Sequence, residues 1–257
     1  MRSVPSAAIN NLLGELQAGI EAVFGDQLVG LFVFGSLAFG GFDADVSDID
    51  LLAAVTHDVT DDELDALRAF HDGFARDHEQ WHDRIEVAYL SVGALTSFKE
   101  RSSQIAVISP GEPLHVVEAG RDWLMNWYLV RESNLALVGP SPRQLITSVS
   151  KEEFVDGIRN YASGVARRAD QAIGRKAQAY VVLTMCRALY AHRVGEHASK
   201  EAAAVWAQQE LPGWSALIRD ALMWRHASLS DGVTTQTANA DITCFAALVD
   251  ALCHSSN

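Results

Sequence analysis

The sequence predicts an α/β domain followed by an all-α helical bundle, and three observations carry that prediction. Within the first 140 residues, continuous apolar runs alternate with amphipathic stretches. After that point every periodic segment has helical spacing. Between the two halves stands Gly139-Pro140-Ser141-Pro142, a breaker cluster that can continue neither a helix nor a central strand. A chain of 257 residues is long enough for two medium domains, and we place them at 1–140 and 141–257.

The elements follow in order. Asn10 to Phe24 is helical in pattern. Leu28 to Phe34 (LVGLFVF) is an unbroken apolar run ended by Gly35, as expected of a strand covered on both faces. Asp48 to Val55 (DIDLLAAV) forms a second strand. Thr60 to His78 sets Leu64, Leu67, Phe70 and Phe74 at helical spacing, and Thr60 with Glu63 makes a capping-box start. Arg84 to Ser91 (RIEVAYLS) is a third strand. Beyond the breaker, Val155, Ile158, Ala162, Val165 and Ala169 form one helical face, and Val182, Met185, Leu189 and His192 another. Further helices are expected at 199–210, 214–226 and 239–252, with the ligand site in a cleft between the two domains.

Composition narrows the function. Apolar residues are 49% and charged residues 21% of the chain, which excludes disorder and fibre. Cys186, Cys244 and Cys253 are too few for a disulfide framework and fit a reducing cytoplasm. The apolar run Leu28 to Phe42 is too short to span a bilayer, and the first twenty residues hold no apolar signal core, so no membrane partner is expected. A net charge of −13 argues against long nucleic acid. The charge is also uneven: residues 1–140 carry 8 Lys/Arg against 22 Asp/Glu, a balance of −14, whereas residues 141–257 carry 12 against 11, or +1. Such a field gathers divalent cations or polycationic small molecules at the front half, although solubility alone explains it equally well. A monomer is the expected state.

The chemistry begins where the first strand ends. In FGSLAFGGFDADVSDIDLL, Gly35 lets main-chain N–H groups approach an anion and Ser36 adds a hydroxyl donor, which together make a phosphate seat. Asp48 and Asp50 follow. Strand side chains alternate, so the two carboxylates share one face about 7 Å apart. Two such carboxylates next to a phosphate seat form a divalent-cation site. Glu86 lies mid-strand among Ile85, Val87 and Tyr89, where burying an acid is costly unless it ligates metal or moves a proton.

This arrangement resembles the nucleotidyltransferase superfamily that shares a catalytic core with DNA polymerase β: G-S, a spacer, D-x-D, then a third acid on a later strand. More closely, the chain resembles the aminoglycoside (3'')(9) adenylyltransferases, through RIEVAYLS, RESNLALVGPSP and VVLTMCRALYAHRVGEHASKEAAAVWAQQELP. The resemblance implies an α/β (α+β) nucleotidyltransferase core with a mixed sheet, followed by a helical domain. It also implies transfer of AMP from ATP to an antibiotic hydroxyl. Asp48, Asp50 and Glu86 would hold two Mg²⁺ ions, Glu86 would be the catalytic base, and Gly35, Ser36 and Ser47 would lie on the nucleotide side. Arg187 and Lys200, from the helical half, would meet the phosphates. The expected partner is a cationic small-molecule antibiotic.

Two other classes compete. His78-Glu79-Gln80-Trp81-His82 matches the zinc-peptidase string H-E-x-x-H, which works only when both histidines lie one turn apart on a continuing helix. The strand at Ile85 follows too soon for that. A nucleotidyltransferase-fold protein could also act on another acceptor, or merely bind a nucleotide. Streptomycin-accepting relatives use an aromatic residue, for which Trp123 and Trp127 are candidates, and an acid just before VVLT. Here Lys176-Ala177-Gln178-Ala179-Tyr180 lacks that acid, so spectinomycin is expected in preference to streptomycin.

Overall fold

The computed structural model describes residues 6–226 and 236–255; the first five residues of the stretch read for a signal peptide lie outside them. Helix α1 (Ala7–Phe24) leads into β1 (Leu28–Val33), the short α2 (Gly35–Phe39) and β2 (Ile49–Val55). Next come α3 (Asp61–Asp77), β3 (Ile85–Ser91), α4 (Val92–Ser97), β4 (Ser103–Ser109) and β5 (Glu112–Ala119). Helix α5 (Leu124–Ser133), β6 (Leu135–Val138) and α6 (Pro142–Leu145) complete the first half. Helices α7 (Lys151–Arg167), α8 (Arg175–Val194), α9 (Lys200–Glu210), α10 (Ser215–Trp224) and α11 (Gln236–His254) make up the second.

The six strands form one mixed sheet in the order β5-β4-β3-β2-β1-β6. Strands β2 and β3 pair in parallel, and the other neighbours are antiparallel. A parallel pair needs a crossover, which α3 provides. Its start is the capping box expected from sequence, since Thr60 Oγ1 accepts the Glu63 N–H while Glu63 returns a carboxylate to the Thr60 N–H at 2.8 Å. Both faces of the sheet are covered, which is why the central strands read as apolar throughout. On one face Leu31, Leu51, Val87 and Tyr89 pack with Leu16 and Ile20 of α1 and Leu67 of α3. On the other, Phe32, Leu52 and Leu90 pack with Leu95, Phe98, Trp127 and Ile146.

Chain contacts divide the protein into Met1–Phe42 with Ser47–Val149, and Asp43–Val46 with Ser150–Asn257. The main boundary thus falls seven residues beyond the breaker cluster, because Leu145, Ile146 and Val149 still pack on the sheet's second face. Within the helical unit α8 is central, in contact with α7, α9, α10 and α11. It buries Val181, Val182, Leu183, Met185, Ala188 and Leu189, more than one stripe, as a helix packed on several sides must. All three cysteines are free thiols. No helix among the described residues is long and apolar enough to cross a membrane.

Candidate active site

The sheet brings the acidic residues together by register. Asp50 is the partner of Glu86 on the parallel pair, with Ile49 opposite Ile85 and Leu51 opposite Val87. The odd-numbered neighbours are buried under α1 and α3, so Asp50 and Glu86 present their carboxylates to the other face, each half-buried. Asp48 lies just before β2 and is also half-buried. Burial, and then the negative charge of Asp48, push the Glu86 carboxyl up to about 7.

The end of β1 completes this corner. Val33 pairs with Leu51, and the Phe34 N–H donates to the Asp50 carbonyl at 3.0 Å. Gly35 then adopts φ +62°, and a Cβ placed on it would overlap the Asp50 carboxylate. Glycine is therefore required twice, by backbone conformation and by the close approach of Asp50. The Gly-Ser pair begins the five-residue α2 directly, without an intervening turn, leaving Gly35 and Ser36 half-buried. Ser47 is buried, 4% exposed. Among the described residues no three His, Cys, Asp or Glu side chains close into a cation cage by themselves.

Arg187 and Lys200 belong to the helical unit. Arg187 is half-buried in α8, and its charge, after burial, helps hold His197 down to about 3. Lys200 opens α9, whose cap is Ser199 accepting from the Ala202 N–H at 3.1 Å. The acceptor-side candidates separate. Trp127 is 2% exposed in the core, stacked on Trp123 at 5.5 Å between ring centroids, so it packs the sheet and cannot contact a ligand. Gln178 is fully buried, whereas Tyr180 is exposed and its hydroxyl meets that of Tyr161.

The H-E-x-x-H string has no continuing helix. Helix α3 ends at Asp77, His78 is its C-cap, and Glu79–Trp81 form a separate turn of 3-10 helix. His78 Nε2 meets Glu15 at 2.8 Å and its ring lies 4.3 Å from that of Phe74. The two histidines do not stand one turn apart on one α-helix, as peptidase zinc sites require.

Sequence reading missed Arg84, whose guanidinium donates to the Ser47 carbonyl beside the acidic pair. A cation ahead of an in-strand Glu was the available signal.

The family model described as "Aminoglycoside adenylyltransferase, C-terminal domain" matches residues 144–250. No curated protein matches the chain significantly. Among solved structures, the chain is similar to spectinomycin adenyltransferase AAD(9) from Enterococcus faecialis, determined with ATP and spectinomycin. The TM-score is 0.75 at 13% identity, over 96% of this chain and 99% of that one. The TM-score establishes the shared fold, and the family match covers most of the helical half. Residues 144–250 are thus similar to the C-terminal domain of the aminoglycoside adenylyltransferases, and the chain shares the fold of that solved adenyltransferase.

Proposed function

We propose that this enzyme transfers AMP from ATP to a hydroxyl of a cationic aminoglycoside or aminocyclitol antibiotic, with Mg²⁺ and with release of pyrophosphate. The observation that carries this reading is Glu86 in register with Asp50 and repelled by Asp48. Three acids held in one half-buried corner are costly to the fold unless they meet cations or move protons. Asp48, Asp50 and Glu86 are the proposed ligands of two Mg²⁺ ions, which would supply neutralisation of charge on the α-phosphate.

Gly35 and Ser36 are the proposed seat of the β- and γ-phosphates, with Ser47 on the nucleotide side and Arg187 and Lys200 as cationic partners of the triphosphate. A carboxyl with pKa about 7 is partly ionised at neutral pH, so Glu86 can take the acceptor hydroxyl's proton. The acceptor oxygen then bonds to the α-phosphorus as the bond to the β-phosphate's bridging oxygen breaks. No covalent intermediate with the protein is required.

The acceptor is taken to be cationic because residues 1–140 carry 8 basic against 22 acidic side chains. Spectinomycin is proposed over streptomycin: Ala177 and Gln178 offer no carboxylate to a guanidinium, and Gln178 is fully buried. Antibiotic resistance in a cytoplasmic setting, where ATP is available, is part of the same reading. The test is pyrophosphate release with ATP, Mg²⁺ and a panel of aminoglycosides and aminocyclitols, with a no-acceptor control. Release dependent on spectinomycin supports the proposal. Release without acceptor, or a higher kcat/KM for streptomycin, overturns the corresponding part.

A further inference from the structure

We infer that Arg84 is a positioning residue that sets the main chain on both sides of Asp48, and thereby where the acidic pair Asp48 and Asp50 presents its charge. The inference rests on the adenylyltransferase reading above and deepens it.

Arg84 grips the start of β2 twice. Its Nη2 donates to the carbonyl of Ser47, the residue before Asp48. Its own carbonyl accepts the N–H of Ile49, the residue after Asp48, at 2.9 Å. Asp48 is thus bracketed by two hydrogen bonds to one residue of the neighbouring strand, in the stretch just before β2 and β3 begin their ladder. A charged donor on a carbonyl is stronger than a neutral one, and it defines a direction as well as a distance.

The guanidinium is itself held in place. It lies over the Trp81 ring, 4.4 Å from the centroid, and Nη1 reaches the Gln80 carbonyl at 3.4 Å. Trp81 is only 6% exposed, so the platform is part of the core. The preceding residue, Asp83, adopts φ +63°, which non-glycine residues rarely do, and its carboxylate accepts the Gly111 N–H at the turn between β4 and β5. That anchored kink turns the chain into β3 with the Arg84 side chain lying back over Trp81. Its grip on this corner runs through the main chain at Ser47 and Ile49.

The experiment compares Arg84→Ala, Arg84→Gln and Arg84→Lys with the parent in the full-length chain, each checked for cooperative thermal unfolding. The first readout is amide hydrogen exchange without metal or nucleotide. In Arg84→Ala the amides of Asp48 and Ile49 should exchange about tenfold faster, while those of Leu52 and Ala53 in mid-strand stay at the parent rate. The second is Mn²⁺ uptake in the presence of ATP, whose half-saturation should rise about tenfold, the free-energy scale of one charged hydrogen bond. Turnover should show a KM for MgATP raised by a similar factor, kcat lowered less than threefold, and an unchanged pH profile. Arg84→Lys and Arg84→Gln, which keep a donor, should recover part of the exchange protection, and they keep the inference testable if Arg84→Ala fails to fold. Exchange at Asp48 and Ile49 within twofold of the parent in a folded variant overturns it, as does a shifted pH profile at unchanged Mn²⁺ half-saturation. A parent that neither takes up Mn²⁺ with ATP nor releases pyrophosphate sinks the adenylyltransferase reading, while the exchange measurement still decides whether Arg84 positions Asp48.

Discussion

Asp50 and Glu86 are direct register partners on the parallel strands β2 and β3, and their carboxylates face the same side of the sheet. Asp48 adds a third negative charge to that corner, and Glu86 answers by holding its proton to about pH 7. The site is poised between keeping that proton and taking up cations.

The first prediction concerns that proton. In metal-free protein the Glu86 carboxyl should titrate near 7, and Asp48→Asn should lower its pKa by removing the second cause of the shift, while burial keeps it above the ordinary carboxylate range. Carbon-detected NMR of the Glu side chains measures both. The same Asp48→Asn change should cost about three orders of magnitude or more in kcat/KM, since an anionic ligand is lost. An ordinary titration near 4.5 in the parent would remove the electrostatic case for the site.

The second concerns stability. The folded-state pKa of Glu86 lies above its unfolded value of 4.5, so the native state binds the extra proton between about pH 4.5 and 7. Stability from this group is complete below pH 4.5 and is lost as pH rises through 7. Glu86→Gln removes that penalty and should stabilise the fold by about 1–3 kcal/mol at pH 8, with little change at pH 4. It should bind MgATP yet lose turnover if Glu86 is the base. Calorimetry showing lost MgATP binding would assign Glu86 to the metal instead.

Third, Gly35→Ala combines a left-handed backbone with a methyl group driven into the Asp50 carboxylate. We expect a loss of about 1–3 kcal/mol in stability and at least a hundredfold in kcat/KM. Gly14→Ala is the control, because nothing lies within 4 Å of its added Cβ and helix α1 favours alanine there. Equal effects at the two positions would contradict the role given to Gly35.

Fourth, His78→Ala and His82→Ala should leave transferase turnover within about threefold, as residues outside the proposed machinery do. The purified protein should carry no stoichiometric zinc. One zinc per chain by metal analysis, lost on His82→Ala, would restore the peptidase reading despite the helix end at Asp77.

Much of this was legible in the residues because the signals are local. The alternation in Asp48-Ile49-Asp50 says which side chains share a face, Thr60 with Glu63 says where α3 starts, and Gly35 marks the end of the first apolar run. By itself the sequence determined the division into a strand-rich front and a helical rear, and the unequal charge. Strands β4 and β5 went unassigned, although Pro110-Gly111 between them is a turn signal and Gly111 has φ +82°. Only the tertiary structure set Glu86 opposite Asp50, because register across a parallel pair is fixed through the long crossover of α3 and the packing of both faces. It likewise buried Trp127, which read as a ligand-facing candidate, and brought Arg84 to the Ser47 carbonyl. Identity and spacing state which groups a chain carries; which of them meet is decided by packing between segments distant in sequence, a many-body outcome with no short-range signature.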